Sequence, residues 1–143
     1  MLNHPTLTSH AARLRVVALF LGANDAALAS TNPTAHVPLA DYEANTRLMI
    51  DTIHLYHPEA KIALITPPPV YCPRWGAHRK DQHQAQDRDV NETNHYRHCI
   101  LNLAAEAHIP VIDLWKVFFG GDGSYVDAIA VRLDAWRVVG TGT

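Results

Sequence analysis

Three short, mostly apolar runs separated by helical patterns constrain this chain more than any other feature. Residues 15–21 read RVVALFL and stop at Gly22; residues 61–66 read KIALIT and stop at three prolines; residues 109–113 read IPVID. A short run without polar alternation, rich in β-branched residues, fits a strand buried on both faces. A buried helix segment is the competing reading, but seven residues with two valines favour the strand. Between the first two runs, residues 38–57 carry Tyr42, Thr46, Met49, Ile50, Ile53 and Tyr56 at steps of three and four, which makes one apolar helical stripe. Pro38 suits its first turn, Asp41 and Glu43 meet the positive end of the helix dipole, and Pro58 ends it. Residues 91–108 form a second helix with Ile100, Leu101, Ala104 and Ala107 on one face. Strand, helix, strand, helix, strand calls for right-handed crossovers and a parallel α/β sheet.

The rest of the chain is less regular. Residues 71–89 are polar and read as an excursion or lid. Residues 114–119 fit a short helical turn, and Gly120, Gly121, Asp122 and Gly123 a flexible break. The tail beyond has helix-like spacing at Val126, Ile129, Ala130 and Leu133. Composition narrows the classes. With 48% hydrophobic and 18% charged residues, 143 residues are apolar enough to collapse as one domain. A net charge of -2 supplies no field for nucleic acid or an anionic membrane. No apolar run approaches the roughly 18 residues of a membrane span. The first ten residues lack the order of a secretory signal, which favours a cytoplasmic protein. Cys72 and Cys99 cannot build a disulfide framework and are expected as free thiols.

Open α/β sheets bind ligands beyond the carboxyl ends of their strands. Gly22, Ala23, Asn24 and Asp25 fall at such an end, as do residues 67–70 and Asp113. Gly22 permits a backbone angle that other residues resist. Asn24 offers a neutral amide donor on a short arm, suited to stabilising an oxyanion. The plainer alternative is that Asn24 and Asp25 cap a turn.

Residues 16–28, VVALFLGANDAAL, resemble the third sequence block of the SGNH (GDSL-type) ester hydrolases, where Gly-x-Asn-Asp follows a hydrophobic strand. HVPL at 36–39, ITPPPV at 65–70 and IPVIDLW at 109–115 are similar to the subgroup of isoamyl acetate-hydrolysing esterases, in the same order and spacing. The resemblance implies a partial flavodoxin-like three-layer α/β/α sandwich with about three of the family's five parallel strands. It implies acyl transfer on small carboxylic esters by a Ser-His-Asp group, without metal or organic cofactor. It assigns Asn24 to the oxyanion hole, with Gly22 and Asp25 as its supporting loop. The chain departs from the family elsewhere. No Gly-Asp-Ser block precedes Gly22, and Ser9 lacks both the motif and the room for a strand and helix before Arg15. At the C-terminal end, Asp134-Ala135-Trp136-Arg137 has arginine where the family's Asp-x-x-His has its base, and no histidine follows His108. Arginine stays protonated and is no general base.

The expectation is therefore a partial esterase domain over residues 1–119 and a divergent tail over 120–143, without nucleophile or base and inactive alone. In the family's strand order, residues 15–21 would lose a neighbour and become an exposed edge prone to self-association. The alternative function is a non-catalytic α/β module that uses the retained loop or that edge. A nucleotide-binding domain is disfavoured because no glycine-rich phosphate loop follows any strand; Gly120 to Gly123 lack the Lys-Ser/Thr that such a loop needs. His95, His98 and Cys99, like His78 and His83, match no metal-site pattern and are read as solvated or structural, so no metal is expected. Trp75 with Arg74, Arg79 and Lys80 reads as a solvated loop or as a cover for a pocket mouth.

Overall fold

Residues 14–120 are those that the computed structural model describes, and within them the apolar runs become strands and the amphipathic patterns helices. The elements are β1 (Val16–Phe20), α1 (Leu39–Tyr56), β2 (Lys61–Ile65), α2 (Cys72–Asp81), α3 (Val90–Glu106), β3 (Val111–Ile112) and α4 (Leu114–Phe119). The strands pair in parallel in the order β1-β2-β3, with Val16 opposite Lys61, Phe20 opposite Ile65, and Ile65 opposite Ile112. The expected parallel α/β sheet is therefore present. The tail after Gly120, with its expected helical spacing, lies outside the described residues, as does Ser9.

Both crossovers step the same way across the sheet, so right-handedness sets α1 and α3 on one face. Their contact builds the core: Tyr42 and Ile50 from α1 meet Tyr96, Ile100 and Leu103 from α3 over Ile62 and Leu64 of β2. The Tyr42 and Tyr96 rings sit 5.1 Å apart and tilted, an arrangement worth about 0.5–1.5 kcal/mol beyond burial. Both hydroxyls are used: Tyr42 donates to the Leu21 carbonyl and Tyr96 to that of Val37. The two helices start differently. Asp89 caps α3 by accepting from Asn91 N and Glu92 N, whereas α1 begins at Pro38 without a side-chain cap.

Three local expectations are corrected. β1 is not buried on both faces: Val16 is 62% and Phe20 52% exposed, because only the face of Val17 and Leu19 is turned toward the core. Among the described residues β1 pairs with β2 alone. The helical stripes are also shifted. Tyr56 is exposed on the last turn of α1, and Ala107 lies exposed past the end of α3, where Tyr96, Arg97 and Leu103 are buried instead. Finally, the polar excursion contains α2, a helix with no buried residue and therefore no apolar period to betray it.

Candidate functional site

The loop after β1 is held in one shape by its own backbone. Gly22 has φ +103, and a Cβ there would come within 2.8 Å of the Tyr42 hydroxyl and 3.3 Å of Pro67 Cβ. Glycine is thus required twice, by the left-handed angle and by the close approach of the loop after β2. Asp25 Oδ2 accepts from Gly22 N at 3.0 Å, Ala26 N donates to Gly22 O, and Ala27 N to Asn24 O. Gly22, Asn24 and Asp25 therefore share one tight turn beyond the carboxyl end of β1. Asp25 does cap that turn, as the plainer alternative held.

Asn24 is exposed, but its amide is not free to rotate at will. Arg88 NH2 donates to Asn24 Oδ1 at 3.1 Å, while Arg88 Nε donates to the Ala23 carbonyl at 3.1 Å. Arginine has no acceptor, so the amide atom that faces it must be the oxygen. The Asn24 NH2 then faces away from the guanidinium and makes no hydrogen bond to a described residue. Such a neutral, oriented donor pair can receive negative charge that develops on a substrate oxygen.

What places Arg88 there is Asp87. Its carboxylate is buried and accepts from Asn32 Nδ2 at 2.8 Å and Trp75 Nε1 at 2.8 Å, with Arg88 NH1 at 3.0 Å and Arg79 NH2 at 3.5 Å. Burial alone would raise this carboxyl; the Asn32 and Trp75 hydrogen bonds and the two guanidinium charges overcome it and hold it below the ordinary range. Leu28 N donates to Asp87 O, and Ala27 forms an antiparallel bridge with Arg88. The segment read as a solvated loop or pocket cover is joined to the chain after β1 through Gln86, Asp87 and Arg88, and Trp75 and Arg79 bind Asp87 from α2, while Arg74 and Lys80 are exposed. Arg88 and Asp87 were missed because the sequence shows them only as members of a polar run.

A second buried polar cluster lies beyond β2 and β3. Arg97 grips Asp113 through Nε to Oδ1 at 2.9 Å and NH2 to Oδ2 at 2.7 Å, and its guanidinium lies 5.3 Å from the centre of the Trp115 ring. Asp113 also accepts from Trp115 N, and Trp115 Nε1 donates to Pro67 O. Burial pushes the Asp113 carboxyl up, but Arg97 outweighs it and the carboxyl lies below its ordinary value. This aspartate is committed to structure, since its oxygens already face a cation.

Among the described residues no activated nucleophile or base stands beside Asn24. Burial pushes the Cys99 thiol up to about 11 and raises that of Cys72, so both are free but unactivated. Among the described residues no three His, Cys, Asp or Glu side chains converge on a metal position. The spelling Asp-x-x-His does occur at Asp51, Thr52, Ile53 and His54, but in the second half of α1. That helix runs from beside Leu21 back toward the start of β2, so the pair sits at the opposite end of the sheet from Asn24. A groove of about 320 Å³ lined by Leu19, Leu48, Met49, Thr52 and Ile53 lies beside β1 under α1 rather than at the loop.

Known proteins place these features. The chain is 34% identical over 102 residues to the isoamyl acetate-hydrolyzing esterase 1 homolog of Bos taurus, and 35% identical over 106 residues to that of Homo sapiens. A GDSL esterase/lipase of Arabidopsis thaliana is 32% identical over 105 residues. These matches take in 71%, 71% and 68% of this chain but 41%, 41% and 43% of the relatives, so the chain spans less than half of their length. The crystal structure of the lipase/acylhydrolase from Enterococcus faecalis superposes with a TM-score of 0.50 at 25% identity, covering 86% of this chain and 60% of that one. Residues 2–132 match the model of the GDSL-like lipase/acylhydrolase family, and the chain belongs to that family.

Proposed function

We propose that this chain supplies the oxyanion-stabilising part of a GDSL-type ester hydrolase, with the Asn24 amide as donor and Gly22 and Asp25 as its supporting turn. The single observation that carries this reading is the Arg88 contact, which turns the Asn24 NH2 outward beyond the carboxyl end of β1. The substrate class is small carboxylic esters, by analogy with the esterase relatives. Hydrolysis would proceed by acyl transfer through a serine, with histidine and aspartate as base and orienting group. The 143 residues contain neither a Gly-Asp-Ser block nor a histidine after His108. Alone, therefore, the chain is expected to leave p-nitrophenyl acetate at the rate of buffer and a heat-killed control. Turnover well above that rate overturns the inactivity. The oxyanion assignment is tested by adding a companion polypeptide that carries the Gly-Asp-Ser and Asp-x-x-His blocks. The restored rate should fall about 10²–10³-fold in Asn24→Ala. A restored rate indifferent to that substitution refutes the assignment.

A second reading rests on the open edge of β1. Among the described residues its outer N–H and C=O groups have no strand partner, and Val16 and Phe20 are exposed beside them. Such an edge accepts a strand from another copy or another protein. Self-association through residues 16–20 is the form of this reading tested below.

A further inference from the structure

Arg88 carries more contacts to the loop after β1 than any structural need of its own segment explains. Its segment is already fixed by Asp87, which Asn32 and Trp75 hold, and by Leu28 N on Asp87 O. The loop after β1 is likewise fixed without Arg88, through Gly22 N on Asp25 and through Ala26 N and Ala27 N on the backbone. What Arg88 adds is a planar fork spanning two acceptors at once, Ala23 O through Nε and Asn24 Oδ1 through NH2, each at 3.1 Å. Its third nitrogen, NH1, is tied back to Asp87, at 3.1 Å from the carbonyl and 3.0 Å from Oδ2, and the side chain is only 12% exposed. The guanidinium is thus clamped on one side and presents a fixed edge on the other.

We infer that Arg88 is a positioning residue for the Asn24 amide: it holds the side-chain oxygen so that the NH2 is presented at a set angle beyond β1. This rests on the oxyanion reading above and adds its cause. An oxyanion donor is effective only if it is oriented before charge develops, since reorienting a loose amide at that moment would consume the gain. An exposed asparagine on a turn is otherwise free to swing about its side-chain bonds. Lysine would not substitute, because a single ammonium lacks the fork that holds Ala23 O and Asn24 Oδ1 together.

The test reads the amide itself in the ¹⁵N-labelled full chain. The Asn24 NH2 signals are assigned by their loss in Asn24→Asp. In the wild-type chain their order parameter should approach that of a rigid backbone, about 0.85, and in Arg88→Met and Arg88→Lys fall below about 0.6. The backbone order parameters of residues 22–27 should stay unchanged, which separates positioning from a general loosening of the loop. An Asn24 amide as ordered in Arg88→Met as in the wild type overturns the inference. Should the variants fail to fold, the wild type decides alone. Arg88 guanidinium protons protected from exchange and showing cross-relaxation to residues 23 and 24 support the clamp, and freely exchanging ones refute it. The companion-polypeptide assay with Asn24→Ala separately tests the oxyanion reading, so failure of one is not mistaken for failure of the other.

Discussion

Removing the Arg97 charge while keeping its stem, as Arg97→Met, should be among the most damaging single changes in this fold. Arg97 and Asp113 have side chains only 6% and 8% exposed, joined by the parallel bonds at 2.9 and 2.7 Å. Without Arg97, Asp113 keeps the Trp115 N–H and a long 3.5 Å contact from the Thr66 hydroxyl, and its charge stays buried with no cation against it. Breaking a buried pair in this way costs about 3–5 kcal/mol. For a chain of this size that is a drop on the order of 10–15 °C in melting temperature. Urea unfolding followed by tryptophan fluorescence measures it, with Trp115 as a reporter beside the lesion. The paired variant Arg97→Met with Asp113→Leu removes both charges and should recover most of the loss, and it decides the matter even if the single variant is unfolded in buffer. The sign with pH is also fixed. Once Arg97 is gone, burial raises the Asp113 carboxyl against only the Trp115 N–H and the Lys116 charge, so the single variant is relieved by protonation and its deficit shrinks as the pH falls. A single-variant loss under about 1 kcal/mol, or a double variant as unstable as the two singles summed, refutes the reasoning.

Gly22→Ala combines a positive φ with a Cβ 2.8 Å from the Tyr42 hydroxyl, and should cost about 1–3 kcal/mol in thermal unfolding; a neutral substitution would show that the turn relaxes freely. Asp87 and Asp113 both lie below their ordinary values, so their contribution is complete above about pH 3.9 and is lost as the pH falls from there through their folded values. An acid unfolding curve should therefore steepen below about pH 4, and Asp87→Asn should flatten it while lowering stability at neutral pH. Molar mass by light scattering should rise with concentration, and Phe20→Lys, at a side chain 52% exposed on the β1 edge strand, should suppress the rise. A chain that is monomeric at every concentration removes the self-association reading.

The sheet was legible because it is written in apolar period. The runs at 15–21, 61–66 and 109–113 became the strands within a few residues, and the crossover rule gave their parallel pairing. The Gly22 to Asp25 turn was legible as well, since few residue types tolerate that geometry. What stayed hidden was held by polar contacts distant in sequence. Arg88 reaches Asn24 from 64 positions away, and Asn32 reaches Asp87 across 55. Neither pair leaves a periodic trace, and α2 buries nothing by which to recognise it. Arg97 is the sharpest case: a charged residue on a helix face reads as solvated until Asp113, at the end of another strand, is seen to need it.

The open edge of β1 and the Asn24 amide of the proposed function lie at one end of the sheet. A strand laid parallel on that edge, about 4.8 Å from β1 and in a register that pairs it through Phe20, would finish beside the loop of Gly22, Asn24 and Asp25. The resemblance implies that the family's Gly-Asp-Ser block follows such a strand. On the proposed oxyanion reading, the demand of an apolar edge for a partner and the demand of an oxyanion donor for a nucleophile would be answered by a single element. Phe20→Lys should then weaken both self-association and the rate restored by the companion polypeptide, although Phe20 lies on the strand and not in the loop. If Phe20→Lys abolishes self-association but leaves the restored rate intact, the companion does not dock on β1, and the coupling of edge to site is wrong.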